Sequence, residues 1–351
     1  MKSKRGLFLL GVSLVLGMGT AGCGGCSKHR LTGGGSSFVE PLMKKWAGDY
    51  NGAKHVEVDY TSSGSGNGIS AMIDKKNDFG CTDAPMSDDQ LQDAAGKGGD
   101  VVHVPLAMGA VVVIYNVPGI DRPLAFDGDV LARIFMGQVT HWNHEALKRL
   151  NPDVHFPDNL AISVVHRGEG SGTSYIFSDY LSEASPTWKE KVGKGQQPTL
   201  WPTGQGAQKN PGVAKAVADT PGAIGYVELL YALQSKDKLR YGHVKNAAGK
   251  VIEPNLESVT AAAEGALARI PDDLRFSLVN APGDKSYPIS GTTWAVCYVK
   301  QPSADKATQL ADFLRWAVSD GQKSCEELHY AKLPQGLVER ASKKIDLIKG
   351  P

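Results

Sequence analysis

The chain holds 351 residues, with 38 Lys+Arg against 37 Asp+Glu and a net charge of +1. That length exceeds what one hydrophobic core usually serves and suits two domains. Charge so evenly balanced excludes a general polyanion binder, so nucleic acid is not an expected partner. A small anion would have to be held by local dipoles and an arginine.

The first residues bear on the compartment. Lys2, Lys4 and Arg5 precede an uncharged apolar run over 7–19. Such a run spans about 20 Å as a helix, short of a hydrocarbon core of about 30 Å, so it reads as a signal peptide and not as a membrane span. It ends in Thr20-Ala21-Gly22-Cys23, which resembles a bacterial lipobox, although Leu is commoner where Thr20 stands. On that reading residues 1–22 are a lipoprotein signal peptide and Cys23 is lipidated, with Cys26 as the alternative acceptor. Their removal takes Lys2, Lys4 and Arg5 away and leaves a slight acidic excess.

From Leu31 onward short apolar strands alternate with helical patterns, the signature of α/β architecture. A helix is expected over 39–50, a strand over 56–60 and a helix over 69–76. One or two Val-rich strands follow over 101–115, then a helix over 126–142. A strand is expected over 161–166, a helix over 174–181 and a tight apolar strand over 222–227. The stretch 239–281 reads as polar and irregular. A strand over 294–299 and helices over 304–318 and 335–347 complete the chain. Among Cys26, Cys81, Cys297 and Cys325 no C-x-x-C spacing suggests a metal site. A Cys297–Cys325 disulfide and buried free thiols both remain open.

Three turns rich in glycine and hydroxyls each open a helix: Gly33-Gly34-Gly35-Ser36-Ser37-Phe38, Ser62-Ser63-Gly64-Ser65-Gly66-Asn67-Gly68 and Gly168-Glu169-Gly170-Ser171-Gly172-Thr173. The first N–H groups of a helix lack internal partners and carry the positive end of its dipole. Glycine lets those amides approach an anion closely, and Ser or Thr adds donors. One such turn is commonly just a capped helix; three in one chain point to an anion site. None has the lysine of a P-loop, the spacing of a dinucleotide fingerprint or a G-x-S-x-G elbow. There is no H-E-x-x-H, and the nine histidines are scattered. No catalytic, cofactor or metal constellation emerges.

At these residues the sequence resembles the PstS-like phosphate-binding proteins of high-affinity phosphate ABC transporters, a periplasmic-type solute-binding family. The motifs are LTGGGSSFVEPLMKKW (31–46), YTSSGSGNGI (60–69), DFGCTDAPMSDDQL (78–91), HRGEGSGTSYIF (166–177) and PGAIGYVE (221–228). The resemblance implies a two-domain α/β fold with hinge strands and a central ligand cleft. It places phosphate on Ser37 and the backbone of Phe38, on Ser65, on Asp83, and on Arg167, Ser171, Gly172 and Thr173. Glu169 would orient Arg167 from behind. Ser37 stands where better-known members have Thr, Glu169 where some have Asp, and Cys81 where small residues are usual.

With the lipobox reading and the lack of a catalytic constellation, the resemblance implies a lipid-anchored receptor of the cell envelope, facing the periplasm or exterior, that catalyses nothing and delivers phosphate to a membrane permease and its ATPase. Phosphate near neutral pH keeps a proton and sulfate does not, so an ionised Asp83, an acceptor only, would favour phosphate. Competing readings are a receptor for sulfate or molybdate, a phosphatase on the same scaffold, and an adhesion or structural lipoprotein that has lost binding. Residues 30–109 with 288–351 are expected as one domain and 110–287 as the other, crossing in strands near Gly109 and Tyr287.

Overall fold

The computed structural model describes residues 30–351. The signal-peptide segment 1–22, the lipid acceptor Cys23 and Cys26 lie outside the described residues. The chain begins with β1 (Arg30–Gly35), α1 (Glu40–Lys54), β2 (Glu57–Ser62), α2 (Ser65–Ile73), β3 (Phe79–Thr82) and α3 (Asp88–Lys97). β1 lies between β2 and β3, parallel to both. Parallel neighbours need a return through a helix, which is what this alternation supplies. Leu42, Met43, Trp46 and Tyr50 recur at helical spacing and make the buried face of α1.

Next comes β4 (Val101–Tyr115), one strand of fifteen residues and buried along nearly all of it. β5 (Ala125–Phe126), α4 (Gly128–Phe135), α5 (Glu145–Leu150), β6 (Ser163–Arg167), α6 (Gly172–Ala184) and α7 (Pro186–Lys191) follow. Then come β7 (Gln205–Ala207), α8 (Lys209–Asp219), β8 (Ala223–Glu228), α9 (Leu229–Gln234), β9 (Arg240–Tyr241), β10 (His243–Lys245), β11 (Val251–Ile252) and α10 (Leu256–Ala266). β12 (Ser290–Tyr298), α11 (Ala304–Ala317) and α12 (Gln335–Ile345) end the chain. The main sheet runs β2-β1-β3-β12-β4-β8-β6-β7, with β9 against the end of β4, and β11-β10-β5 form a small second sheet.

β4 explains how one sheet joins two groups of strands. It pairs with β12 as far as Ala110 and with β8 from Val111 onward, antiparallel in both cases. Its side chains are covered on both faces, which accounts for the run of valines and other apolar residues, interrupted by His103.

Three expectations are corrected. The stretch 126–142 is helical only through α4: Asp127 caps its start by accepting from Val130 N–H at 2.9 Å. Just beyond its end Gly137 turns left-handed, φ 72°. The stretch 239–281 is not irregular throughout, because α10 lies in it behind an Asn255–Ser258 capping box. Its buried face is largely alanine, which gives a weak periodic signal. The second glycine turn does not wholly precede its helix, since α2 starts at Ser65 and takes in Gly66 and Gly68. Gly68 is needed there for packing: a Cβ would lie 2.6 Å from Gly35 Cα.

No bridge joins Cys297 and Cys325; both are free and buried, as is Cys81. Burial alone pushes the Cys297 thiol to about 12, and it is the main cause of the same shift at Cys325. A thiol so rarely ionised is a poor nucleophile. Labelling of the native chain with a thiol reagent at neutral pH, mapped by peptide mass, is therefore expected to leave Cys81, Cys297 and Cys325 unmodified until denaturant is added. Modification before unfolding would contradict it.

Candidate functional site

β1 delivers Ser36, Ser37 and Phe38 to the start of α1, where all three are buried. Ser36 Oγ donates to Asp83 Oδ1 at 2.5 Å and accepts from Phe38 N–H at 2.9 Å. Ser65, the first residue of α2, donates to Asp83 Oδ2 at 3.3 Å and accepts from Asp83 N–H at the same distance. Asp83 follows β3 directly and is 2 % exposed. The first two turns thus meet on one carboxylate.

The third turn follows β6, which is separated from β3 by β12, β4 and β8 in the sheet. It nevertheless touches the other two. Gly66 N–H donates to Gly170 O at 3.0 Å. A Cβ on Gly172 would lie 2.6 Å from both the Asp83 Cβ and the Ser65 Oγ, so only glycine permits this approach. Ser171 caps α6, accepting from Ser174 N–H at 3.1 Å. Arg167, at the end of β6, donates from Nε to Glu169 Oε1 at 2.9 Å, from Nη2 to the same oxygen, and from Nη1 to Thr173 Oγ1 at 3.1 Å. The expected Arg167–Glu169 pairing is made, and Lys209 N–H donates to the same Glu169 oxygen at 3.0 Å.

Residues that the sequence reading passed over complete the ring. Asn210, second in α8, donates to Ser37 Oγ from its backbone N–H at 3.2 Å and from Nδ2 at 3.1 Å, and to Thr173 Oγ1 at 3.4 Å. Its Oδ1 accepts from Glu228 N–H at 3.1 Å. Tyr231 donates to Ser37 O at 2.7 Å and Tyr330 to Phe38 O at 2.5 Å. The signal for Asn210 was a polar residue at a helix entrance after the short strand β7. Its glycine, Gly212, comes behind it instead of ahead, so a search for glycine-led turns misses it. Ser37, Phe38, Ser65, Asp83, Arg167, Ser171, Gly172 and Thr173 all lie in this one buried cluster, with Glu169 behind Arg167.

The electrostatics are unusual for an anion site. Asp83 and Glu169 share the buried guanidinium of Arg167, and Glu228 is buried within range of the Asp83 charge. Burial lifts Asp83 to about 6, against the opposing pull of the Ser36 and Thr293 hydroxyls, the Arg167 charge and Ser65. Burial also pushes Glu228 well above the usual carboxylate range. The positive potential comes instead from the starts of α1, α2, α6 and α8, whose dipoles favour a small anion. The cluster offers N–H and O–H donors from several sides and one strong acceptor, Asp83. Among the described residues no group of His, Cys, Asp and Glu is placed to hold a metal, and no helix is long and apolar enough to cross a membrane.

Residues 24–321 match the family model of the PBP superfamily domain. The chain is 40% identical to the phosphate-binding protein PstS of Xylella fastidiosa over 312 residues, 89% of this chain and 83% of that protein. The chain belongs to the PstS family. The archaeal PstS of Methanocaldococcus jannaschii is 36% identical over 338 residues, 90% of this chain and 85% of that one. A phosphate-binding protein from Stenotrophomonas maltophilia, only 21% identical, shares the fold with a TM-score of 0.70 over 90% of this chain and 93% of its own. The architecture is thus the two-domain periplasmic-binding-protein fold that the PstS resemblance implied.

The raised Asp83 makes a measurable demand on stability. The folded chain keeps a proton there that the unfolded chain has already lost, so between its ordinary value and about 6 stability falls as pH rises. Asp83→Asn removes that slope. Thermal unfolding of the variant against the parent, without added anion, should show the difference moving in the variant's favour by roughly 2–3 kcal/mol from about pH 4 to about pH 6.5. A difference that does not change with pH would contradict a buried, titrating Asp83.

Proposed function

We propose that this chain captures inorganic phosphate between its two domains and hands it to the permease and ATPase of an ABC importer, performing no chemistry on it. The reading rests chiefly on Asp83: one buried acceptor among converging donors, in a chain 40% identical to a PstS phosphate-binding protein. Ser37, Phe38 and Ser65 supply hydroxyls and backbone on one side. Arg167, Ser171, Gly172 and Thr173 supply them on the other, with Glu169 aligning the guanidinium. Asn210 joins the proposed set because it reaches both Ser37 and Thr173.

Selectivity follows from proton counting. Phosphate near neutral pH can donate one hydrogen bond to Asp83, whereas sulfate would set a bare oxygen against it. Sites built on a required donor reject analogues lacking it by about 10⁴–10⁵. The domain division at 109/110 and 287/288 belongs to the same proposal. Its support is the change of β4 partners between Ala110 and Val111 and the start of β12 at Ser290. Closure about those strands would bring α1 and α2 against α6 and α8. Export with a lipid on Cys23, which would hold the receptor at the membrane facing the periplasm or exterior, is the proposal for its place in the cell.

Titration of the purified chain at about pH 7.5 with phosphate and with sulfate tests the reading, and equal affinities would defeat it. Asp83→Asn should narrow the gap, since an amide can donate to sulfate; an unchanged ratio would remove Asp83 from its role. In the parent, Asp83 ionises above about 6. Discrimination should therefore be full above that range and decline as pH falls through it, with sulfate gaining. Arg167→Ala should weaken phosphate binding by at least about tenfold, as loss of a buried charged donor worth about 1.5–3 kcal/mol requires. Unaltered affinity would exclude Arg167.

A further inference from the structure

Glu228 ends β8 beside the point where β4 changes partners, paired with Val111. It is fully buried. One oxygen, Oε2, accepts from Leu230 N–H at 3.1 Å as the cap of α9. The other, Oε1, has no hydrogen-bond partner. An ionised carboxylate left half unserved away from water is costly.

Beyond the N–H groups of Leu229 and Leu230, the surroundings offer it little relief. From the turn after β3 the charged group acting on it is Asp83, of the same sign. Its neighbour on α8, Asn210, is neutral and turns its own carbonyl oxygen to the Glu228 N–H. On β4 its partner Val111 is apolar, and on α9 Tyr231 donates away from it to Ser37 O. The Tyr330 hydroxyl faces the carboxyl, but its hydrogen is given to Phe38 O at 2.5 Å. Towards Glu228, Tyr330 is left with acceptor capacity only. A proton on Oε1 removes the charge and supplies the missing donor. The run Glu228 to Tyr330 to Phe38 carbonyl is then satisfied throughout.

We propose that Glu228 is the neutral acid in the closed site, and that closure on phosphate takes up a proton at Glu228. This rests on the phosphate reading and on the domain division above, which sets Glu228 and Tyr330 on different domains. Opening parts them and admits water, and the carboxyl then ionises at neutral pH. One proton passes from buffer to Oε1, and no other bond is made or broken. Because the closed form binds the extra proton, this contribution favours closure at low pH and is lost as pH rises. Burial of Glu228 acts in the same direction.

Calorimetry of the full chain with inorganic phosphate at about pH 7, in buffers of differing ionisation heat, counts the protons taken up. Phosphate and Asp83 contribute to that count in parent and variant alike. Glu228→Gln keeps the shape and the neutral state but cannot titrate. The parent should take up more protons per phosphate than the variant, by up to about one. Equal counts with phosphate still bound overturn the role of Glu228 alone, and failure of the parent to bind phosphate overturns both readings. If the variant does not fold, infrared difference spectra of the parent decide it. At about pH 8, where Asp83 is ionised, phosphate addition should bring up the carbonyl band of a neutral carboxylic acid. Its absence overturns the proposal.

Discussion

The Asp83 carboxylate is enclosed where an anion site would be expected to tolerate no negative charge, and much of the surrounding structure answers that constraint. Ser36 and Ser65 each donate to one of its oxygens, and Arg167 adds a favourable charge. These groups reduce the penalty of burial without cancelling it, which is why the group stays above its ordinary value. A carboxylate held so near its titration point remains an acceptor at neutral pH. On the proposed reading this residual strain makes it discriminating, because a guest bringing its own proton relieves it and a fully ionised guest worsens it.

Bringing the third turn up to that carboxylate from another part of the sheet requires backbones to touch. Gly172 lies against Asp83 and Ser65 where any Cβ would collide, and Gly66 meets Gly170 where a Cβ would sit tightly, 3.2 Å from Gly170 Cα. The glycines of the turns therefore do two jobs. They free amides at helix starts, and they allow two helix starts to approach each other closely enough to exclude water. Water exclusion strengthens every polar contact inside. It also makes the unserved Oε1 of Glu228 and Oε2 of Glu169 matter more than they would at a surface.

Much of this was legible in the sequence because it is local. Each glycine turn carries its own hydroxyls and leads its own helix, and β4 announces itself as a long apolar run. What was not legible depends on contacts across the fold. Asn210 is remote in sequence from Ser37, and nothing near residue 210 marks it as reaching there. α10 was missed because alanine gives little amphipathic contrast, although Asn255 and Ser258 were there to announce its start. Helix 126–142 was overextended for the opposite reason: apolar spacing continued past Gly137, where the backbone turned left-handed and left the helix. Cys81, Cys297 and Cys325 could be settled only in the fold, since spacing permits pairings that the fold does not make.

The charge balance of the whole chain and that of the site make the same point at two scales. A nearly neutral protein cannot attract an anion by its overall field, and a cluster with more carboxylates than cations cannot hold one by formal charge. Attraction has to come from oriented amides, whose partial charges are fixed by the backbone and cannot be titrated away. On the proposed reading Asp83 is then free to serve selection. Its protonation follows pH, while the amides do not change.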